Sequence, residues 1–474
     1  MRPYFCLLAK PQNIILIVAD SLRYDSINNG LESGLPYTEK HSTKFTEARS
    51  AGLPYTEKHS TKFTEARSAG CWTLPATASL FTGLLPHQHG ATSQSRKLNN
   101  EATTLAEKLK ADGYKTYQVT ANVATTEIFG LDKGFDEVHK IWSLVQPKFK
   151  KVLRLAVLAG KPRVRKMLMS KDKIVNELAE DLTVGNCWVQ NTFEDSFELA
   201  RSIIRKNENK NEKSFVFINM MEAHFPYHIG PTFKLSQKGL RNKTKEIKGL
   251  YHMLNQSFLK KDKQYIRPEI AEILKNRQHE SWKILQTKLD QYIQELHQDK
   301  NNLVVFCSDH GDNFGDQEWF YHFSNVTDAG NKVPLYWLDN ESKNARIITN
   351  PVSSRFIQNS ILKKCELPYG EGTLFEENQL NLPILQSYWY NNSGKTMDKF
   401  IYNQFCFIQD NTRYVFKNNH WLSAPITTGE IEPIFKPLSI GTDPINEFVF
   451  DAERKAMLLK NLAEFNHFQK KWLP

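Results

Sequence analysis

In Leu303-Val304-Val305-Phe306-Cys307-Ser308-Asp309-His310-Gly311-Asp312, five apolar residues give way to a serine, a carboxylate, an imidazole, a glycine and a second carboxylate. The apolar run has the length and β-branched, aromatic character of a buried strand. A carboxylate beside an imidazole at a strand's carboxyl end can face one ion, and Gly311 would permit the sharp turn that this needs. The same residues also suit a solvated turn that caps a helix. Taken alone, they leave both readings open.

Outward from this stretch, three more short apolar runs predict strands: Ile14 to Ala19, Tyr117 to Thr120 and Phe215 to Asn219. Helical patterns at Thr104 to Ala111, Ser196 to Arg205 and Ser281 to His297 separate them. Strands alternating with helices predict an α/β fold, a large mostly parallel sheet flanked by helices on both faces. In such sheets chemistry gathers at the carboxyl ends of strands. After about Pro383 the pattern changes to aromatic strands, Phe405 to Gln409 and Tyr414 to Lys417, followed by a helix from Ala452 to Phe468. Residues 384–474 are therefore expected to form a small C-terminal α+β subdomain beside a main domain of residues 1–383.

The chain has 474 residues, 40% hydrophobic and 24% charged, which suits a buried core and excludes wholesale disorder, a disulfide scaffold and a fibre. No apolar run approaches the roughly 20 residues that span a bilayer. The opening residues lack the pattern of a secretory signal, and the six cysteines have no metal-type spacing. A cytoplasmic protein, with reduced and mostly buried thiols, is the expectation. Of the net charge of +10, all lies between Lys140 and Lys173, where eleven Lys and Arg face one acid, Asp172. The remaining 51 basic and 51 acidic residues balance. So local an imbalance argues little for nucleic acid, which is not an expected partner. Within it, Lys148 to Met169 interleaves cations with apolar residues. That fits either a solvated helix pair or an element that rests on an anionic membrane surface.

The eighteen residues Gly34 to Ala51 recur identically at Gly52 to Ala69. Two copies are too few for a solenoid, and 34–69 is expected to be a tandem duplicated loop whose first copy is extra surface.

Four further positions carry candidate chemistry. Asp20 ends the first strand and is a metal ligand or a helix cap. In Cys71-Trp72-Thr73-Leu74-Pro75-Ala76-Thr77, Pro75 suits the first position of a helix, with Thr73 just ahead of it. An anion at Thr73 would meet unpaired N–H groups and the positive end of the helix dipole. A metal-coordinated hydroxyl there is a nucleophile, whereas an ordinary N-cap is the plainer alternative. His224 follows the strand Phe215 to Asn219, and His322 precedes Val333-Pro334-Leu335. Such histidines bind anionic oxygens, protonate leaving groups or are simply structural.

In order and spacing these segments resemble the sulfatase family of the alkaline-phosphatase-like superfamily. The resemblance runs through Asp20, the Thr-x-Pro-helix-Phe-Thr-Gly segment from Thr73 to Gly83, and Thr104-Leu105-Ala106-Glu107 to Gly134-Phe135-Asp136. It continues through His224-Phe225-Pro226-Tyr227, Ser308 to Asp312 and His322, and on to Asn411-Thr412-Arg413-Tyr414 and Phe450-Asp451-Ala452. It implies a sulfatase-like catalytic domain over 1–383, with a basic insert at 140–190 and a helical insert at 232–277. It makes Asp20, Thr73, Asp309 and His310 ligands of one divalent metal ion. Thr73 would be the nucleophile, His224 and His322 would hold the transferring group or assist the leaving group, and Arg23 would support the fold.

Three departures from the family's pattern shift the expected substrate. Typical sulfatases carry Cys or Ser two residues before the proline, converted to formylglycine, and Arg two residues after it. Here Thr73 and Thr77 stand there, so no formylglycine is expected. The family's Gly-Lys-Trp-His segment is replaced by Thr120-Ala121-Asn122-Val123-Ala124, and its paired aspartates by Asp20-Ser21. His310 stands where many sulfatases have Asn, and carboxylates with an imidazole favour Mn²⁺ or Zn²⁺ over Ca²⁺ or Mg²⁺. The expectation is a metal-dependent hydrolase or transferase acting on a sulfate or phosphate ester, phosphate-type favoured, on an anionic glycan, lipid or small molecule. The alternative is a catalytically weak protein that keeps the fold to bind an anionic ligand or membrane surface.

Overall fold

The strand Asn13–Ala19 is buried along its whole length, and its alternation decides the layers. Ile15, Ile17 and Ala19 enter one apolar cluster, while Ile14, Leu16 and Val18 enter another on the opposite face. Only a central strand covered on both sides needs every residue apolar, which is why this run shows no polar alternation. A computed structural model describes residues 10–28, 52–92, 95–141, 193–225, 227, 268–316, 320–322, 326–339, 345–376, 384–387, 402–417, 419–426, 435–449 and 451–472.

Across the central eight-stranded sheet the order is Arg346–Ile348, Thr61–Phe63, Leu335–Leu338, Asn302–Cys307, Asn13–Ala19, Ser214–Met220, Lys115–Thr120 and Glu137–Lys140. Leu335–Leu338 alone runs against its neighbours, and the other pairings are parallel. Helices Phe193–Glu208 and Pro268–Gln298 cover one face through Phe197, Ile203, Trp282, Leu289 and Ile293. Thr73–Thr82, Leu105–Ala111 and Phe356–Lys364 cover the other through Leu74, Phe81, Leu105, Leu109 and Ile361. The expected fold class is thus the observed one.

The helix at Leu105 starts with a capping box. Thr104 Oγ1 accepts from the Glu107 N–H at 3.2 Å, while Glu107 Oε2 accepts from the Thr104 N–H at 2.9 Å. Gly134 packs on this turn at φ 93°, where a Cβ would lie 2.4 Å from the Glu107 nitrogen, so no other residue fits.

Three expectations are corrected. The second copy of the duplication is not a loop: it holds helix Pro54–His59 and sheet strand Thr61–Phe63, with Phe63 fully buried. Three residues are too few to show a period, and long-range pairing makes this strand. The helix predicted over Ser281 to His297 extends from Pro268 to Gln298. Helix Thr73–Thr82 begins at Thr73 after the N-cap Trp72, so Pro75 is its third residue, not its first. Pro75 lacks an N–H, but no residue of a first turn has an intrahelical acceptor for one, so the proline costs nothing there. The first copy of the duplication, the basic segment Lys148 to Met169 and most of the insert at 232–277 lie outside the described residues.

The C-terminal lobe is an antiparallel sheet of Ile384–Ser387, Tyr402–Gln409, Thr412–Lys417, His420–Pro425 and Lys436–Pro437, backed by helix Ala452–Trp472. Its core, with Phe405, Phe407, Leu458 and Phe465, takes in Ala69 and Leu85, which flank the Thr73 helix at either end. No helix among the described residues is long and apolar enough to cross a membrane.

Candidate metal and ester site

Four strands that are neighbours in the sheet end on the same side. Asn302–Cys307 delivers Asp309 and His310, Asn13–Ala19 delivers Asp20, Ser214–Met220 delivers Asn219 and His224, and Lys115–Thr120 delivers Asn122. Helix Thr73–Thr82 points its first residue at the same place. Thr73 Oγ1 lies 3.4 Å from Asp20 Oδ2 and 3.4 Å from His310 Nε2. His310 Nε2 is 3.6 Å from Asp20 Oδ1 and 3.5 Å from Asp309 Oδ2. Asp20, Asp309 and His310 are fully buried, and Thr73 is nearly so.

Several local devices hold these groups in place. Ser21 takes a left-handed turn at φ 62°, which directs its N–H onto Asp309 Oδ1 at 3.1 Å. The His310 N–H reaches the same oxygen at 2.9 Å. His310 Nδ1 bonds the Gly311 carbonyl at 2.8 Å, and a carbonyl only accepts, so Nδ1 carries the hydrogen. In the neutral ring Nε2 then presents a lone pair to the two carboxylates. Gly311 is needed here for close approach, since a Cβ would lie 2.1 Å from the Ala329 carbonyl oxygen.

The electrostatics of this group fit a cation. Burial, and then the charge of Asp20, pushes the Asp309 carboxyl well above the ordinary range. Burial also works to raise Asp20, but the fields of His224 and His310 and the Asn122 hydrogen bond outweigh it and hold Asp20 low. Without a cation the two carboxylates cannot both ionise comfortably. Asp309 Oδ2 is buried and receives no hydrogen bond. An acceptor stranded beside a second carboxylate and an imidazole lone pair, all within 4.8 Å of one another, can hold a divalent ion. The structure brings the sequence candidates Asp20, Asp309 and His310 together, with Thr73 Oγ1 beside them.

His310, Asp312 and His322 form a second group within the same span. Its atoms are otherwise engaged. His322 Nδ1 donates to Asp312 Oδ1 at 2.6 Å and the Tyr227 hydroxyl to Oδ2 at 2.7 Å, while His310 has committed Nδ1 to Gly311. This group is a hydrogen-bonded buttress, with the Asp312 carboxyl pushed up to about 6 by burial and His322 held well below its usual value by burial and the His310 field. His224 donates from Nδ1 to the Phe225 carbonyl at 2.7 Å, and its ring centre is 5.1 Å from that of His322. Either histidine can therefore meet a substrate only through Nε2. Arg23 supports the fold: it bonds Asp25, Asp316 and the Asp312 carbonyl. Thr77, one turn beyond Thr73, is buried and its hydroxyl bonds nothing.

Sequence reasoning missed three participants. Asn122 donates to Asp20 Oδ2 at 2.7 Å and to Thr73 Oγ1 at 3.3 Å, and Asn219 donates to Asp20 Oδ2 at 3.3 Å. Tyr227 anchors Asp312. The signals were an amide just past a strand end and a lone polar residue closing the run Phe215-Val216-Phe217-Ile218-Asn219.

Comparison with known proteins follows the same lines. The family model described as Sulfatase matches residues 12–364. No curated protein matches the chain. Among solved structures, the phosphonate monoester hydrolase SpPMH from Silicibacter pomeroyi superposes at TM-score 0.56 and 14% identity, over 97% of this chain and 96% of that one. Ps i-CgsB in complex with k-i-k-neocarrahexaose gives 0.53 and 16%, over 97% and 93%. The lipoteichoic acid synthase LtaP from Listeria monocytogenes gives 0.51 and 13%, over 98% and 94%. At such identities the likeness is one of fold.

Proposed function

Because the chain belongs to the sulfatase family, whose members are hydrolases or transferases of sulfate or phosphate esters, we propose that it is a metal-dependent enzyme that transfers a phosphate-type group, with a phosphodiester the favoured substrate, through Thr73. The observation that carries this reading is the position of Thr73 Oγ1, 3.4 Å from both Asp20 Oδ2 and His310 Nε2, beside the stranded Asp309 oxygen. Asp20, Asp309 and His310 would hold the ion with Thr73 adjacent. A divalent ion there supplies charge neutralisation and a lowered hydroxyl pKa; Mn²⁺ or Zn²⁺ suits two carboxylates and an imidazole.

The chain's own groups then account for the transfer. Thr73 Oγ1 attacks phosphorus and gives up its proton to the Nε2 lone pair of His224 or His322, whose Nδ1–H is already donated, and that proton passes to the ester oxygen as it leaves. A covalent phosphothreonine forms, and attack by water or an acceptor alcohol, whose proton returns through the same Nε2 to Oγ1, restores the hydroxyl. The first turn of helix Thr73–Thr82 also carries N–H groups that no intrahelical carbonyl takes, a setting that favours anionic oxygens. Charge supports a diester. Among the described residues no Lys or Arg bonds Asp20, Thr73, Asn122, Asp309 or His310, so two carboxylates already balance a divalent ion. A monoanion is tolerated there better than a phosphate-monoester dianion.

A panel of chromogenic phosphodiester, phosphonate, phosphomonoester and sulfate substrates, run with Mn²⁺ and with Zn²⁺, tests this. The diester should give the highest kcat/KM; a sulfate ester turned over fastest would overturn the substrate assignment. The cationic segment Lys148 to Met169 would draw anionic lipid or glycan toward the site, and salt-sensitive co-sedimentation with anionic vesicles checks that part.

A further inference from the structure

Asn122 is the residue whose side chain joins a metal-side carboxylate to the nucleophile's oxygen. Its orientation is determined. The Asn122 Oδ1 accepts from the Ala124 N–H at 2.7 Å, so the atom facing the site must be Nδ2. Its own N–H donates to Thr120 Oγ1 at 3.0 Å, and its carbonyl accepts from Thr125 Oγ1 at 2.9 Å. The side chain is thus locked at both ends, and both amide hydrogens are directed inward, to Asp20 Oδ2 and Thr73 Oγ1 at 2.7 and 3.3 Å.

We infer that Asn122 is a positioning residue that sets Asp20 and Thr73 relative to each other, and that it controls divalent-ion affinity as well as turnover. A carboxylate turns about its terminal torsion at little cost, and a threonine hydroxyl has three staggered wells. The amide removes both freedoms: Oδ2 of Asp20 stays beside Thr73 while Oδ1 stays toward His310. Because Asn122 is neutral, it orients the carboxylate without competing for it. A cation in the same place would pair with Asp20 and displace the ion. Hydrogen-bond partners of metal ligands typically alter affinity or activity by about 10–100-fold.

The turnover arm rests on the Thr73 reading, and the affinity arm does not. The test is calorimetric titration of metal-free protein with Mn²⁺, alongside kinetics on the best substrate, for wild type, Asn122→Ala, Asn122→Leu and Asn122→Lys. Leucine fills the amide's volume without donors and guards against loss of fold. Ala and Leu should each weaken Mn²⁺ binding about tenfold and lower kcat about 10–100-fold with KM little changed, and Lys should weaken Mn²⁺ binding further. Wild-type Mn²⁺ affinity in Ala and Leu, with or without a lower Tm, overturns the inference. If Thr73→Ala turns over normally while Asn122→Ala still loses Mn²⁺, the nucleophile assignment fails and the role of Asn122 stands.

Discussion

Arg413, on the C-terminal sheet, donates to the buried carboxylate of Asp328, the first residue of the short helix Asp328–Asn331 that packs against the metal motif. Arg67, in the second copy of the duplication, grips the same carboxylate at 3.0 Å, and Arg413 also donates to the Val326 carbonyl at 2.6 Å. The next residue, Ala329, presents the carbonyl that closes on Gly311. The small lobe thereby braces the turn that carries Asp309 and His310. Burial would raise the Asp328 carboxyl, but Arg413 and Arg67 hold it far below the ordinary range. Such a group stabilises the fold above a pH of about 4, and that contribution is lost as pH falls further. Arg413→Ala leaves a buried charge short of a partner and should cost about 3–5 kcal/mol, read from urea midpoints at pH 7. A change under 1 kcal/mol would show that the lobe is held by its apolar contacts alone.

Thr73→Ala should abolish turnover while leaving Tm and Mn²⁺ content close to wild type, since one hydroxyl contributes little to so large a core. Cys71→Ser should stay active. Mass spectrometry of the purified protein should find no formylglycine. An active Thr73→Ala beside a dead Cys71→Ser would reverse the assignment.

Exhaustive chelation should remove all activity, and Mn²⁺ or Zn²⁺ should restore it at one ion per chain. Asp309→Asn should lose the ion, because the stranded Oδ2 is replaced or neutralised. A stoichiometry of two by elemental analysis would mean that Asp312 and His322 exchange their mutual hydrogen bond for a second ion.

Stability should fall on mild acidification for reasons remote from the ion. Burial pushes His87 down to about 4 and His89 down to about 3. The His89 Nδ1 accepts from the Ala91 N–H at 3.0 Å, so its Nε2–H donates to Ser79, also at 3.0 Å. Both rings are neutral when folded but take up protons near pH 6.5 when unfolded. The unfolded chain therefore binds more protons between about 6.5 and 4, and stability is lost as pH drops through that window. Urea midpoints from pH 7 to 4.5 should decline, and His89→Gln should decline less steeply by about one proton. Parallel slopes would show that His89 is already charged in the folded protein.

Deleting Gly34 to Ala51 should leave the fold and Mn²⁺ binding intact. The second copy supplies Phe63 to the sheet and Arg67 to Asp328, and the change in loop length alters closure entropy little. Loss of soluble protein on deletion would show that the first copy is packed.

The motifs themselves were legible because each strand end is a local event. Ile14 to Ala19 and Leu303 to Cys307 are apolar throughout because both faces are covered, so Asp20 and Asp309 stand out as the first charged residues after them. The helical pattern from Thr104 to Ala111 was equally local. Thr61–Phe63 was not, because an isolated Thr-Lys-Phe has no preference until Leu335–Leu338 and Arg346–Ile348 flank it. Asn122 was visible only as an amide beyond a strand.

By itself, then, the sequence determined the α/β layering, the strand ends and the identity of Asp20, Thr73, Asp309 and His310 as the groups to watch. Only the tertiary structure decided that the strands ending near residues 307, 19, 220 and 120 lie side by side. That adjacency brings Asn122 onto Thr73 and gives both Asp312 oxygens to His322 and Tyr227. The reason is physical. Local periodicity reports which face of an element is buried, whereas the adjacency of these four strands depends on pairings such as Asn13 with Ser214 and with Asn302, segments distant in the chain, which no local pattern records.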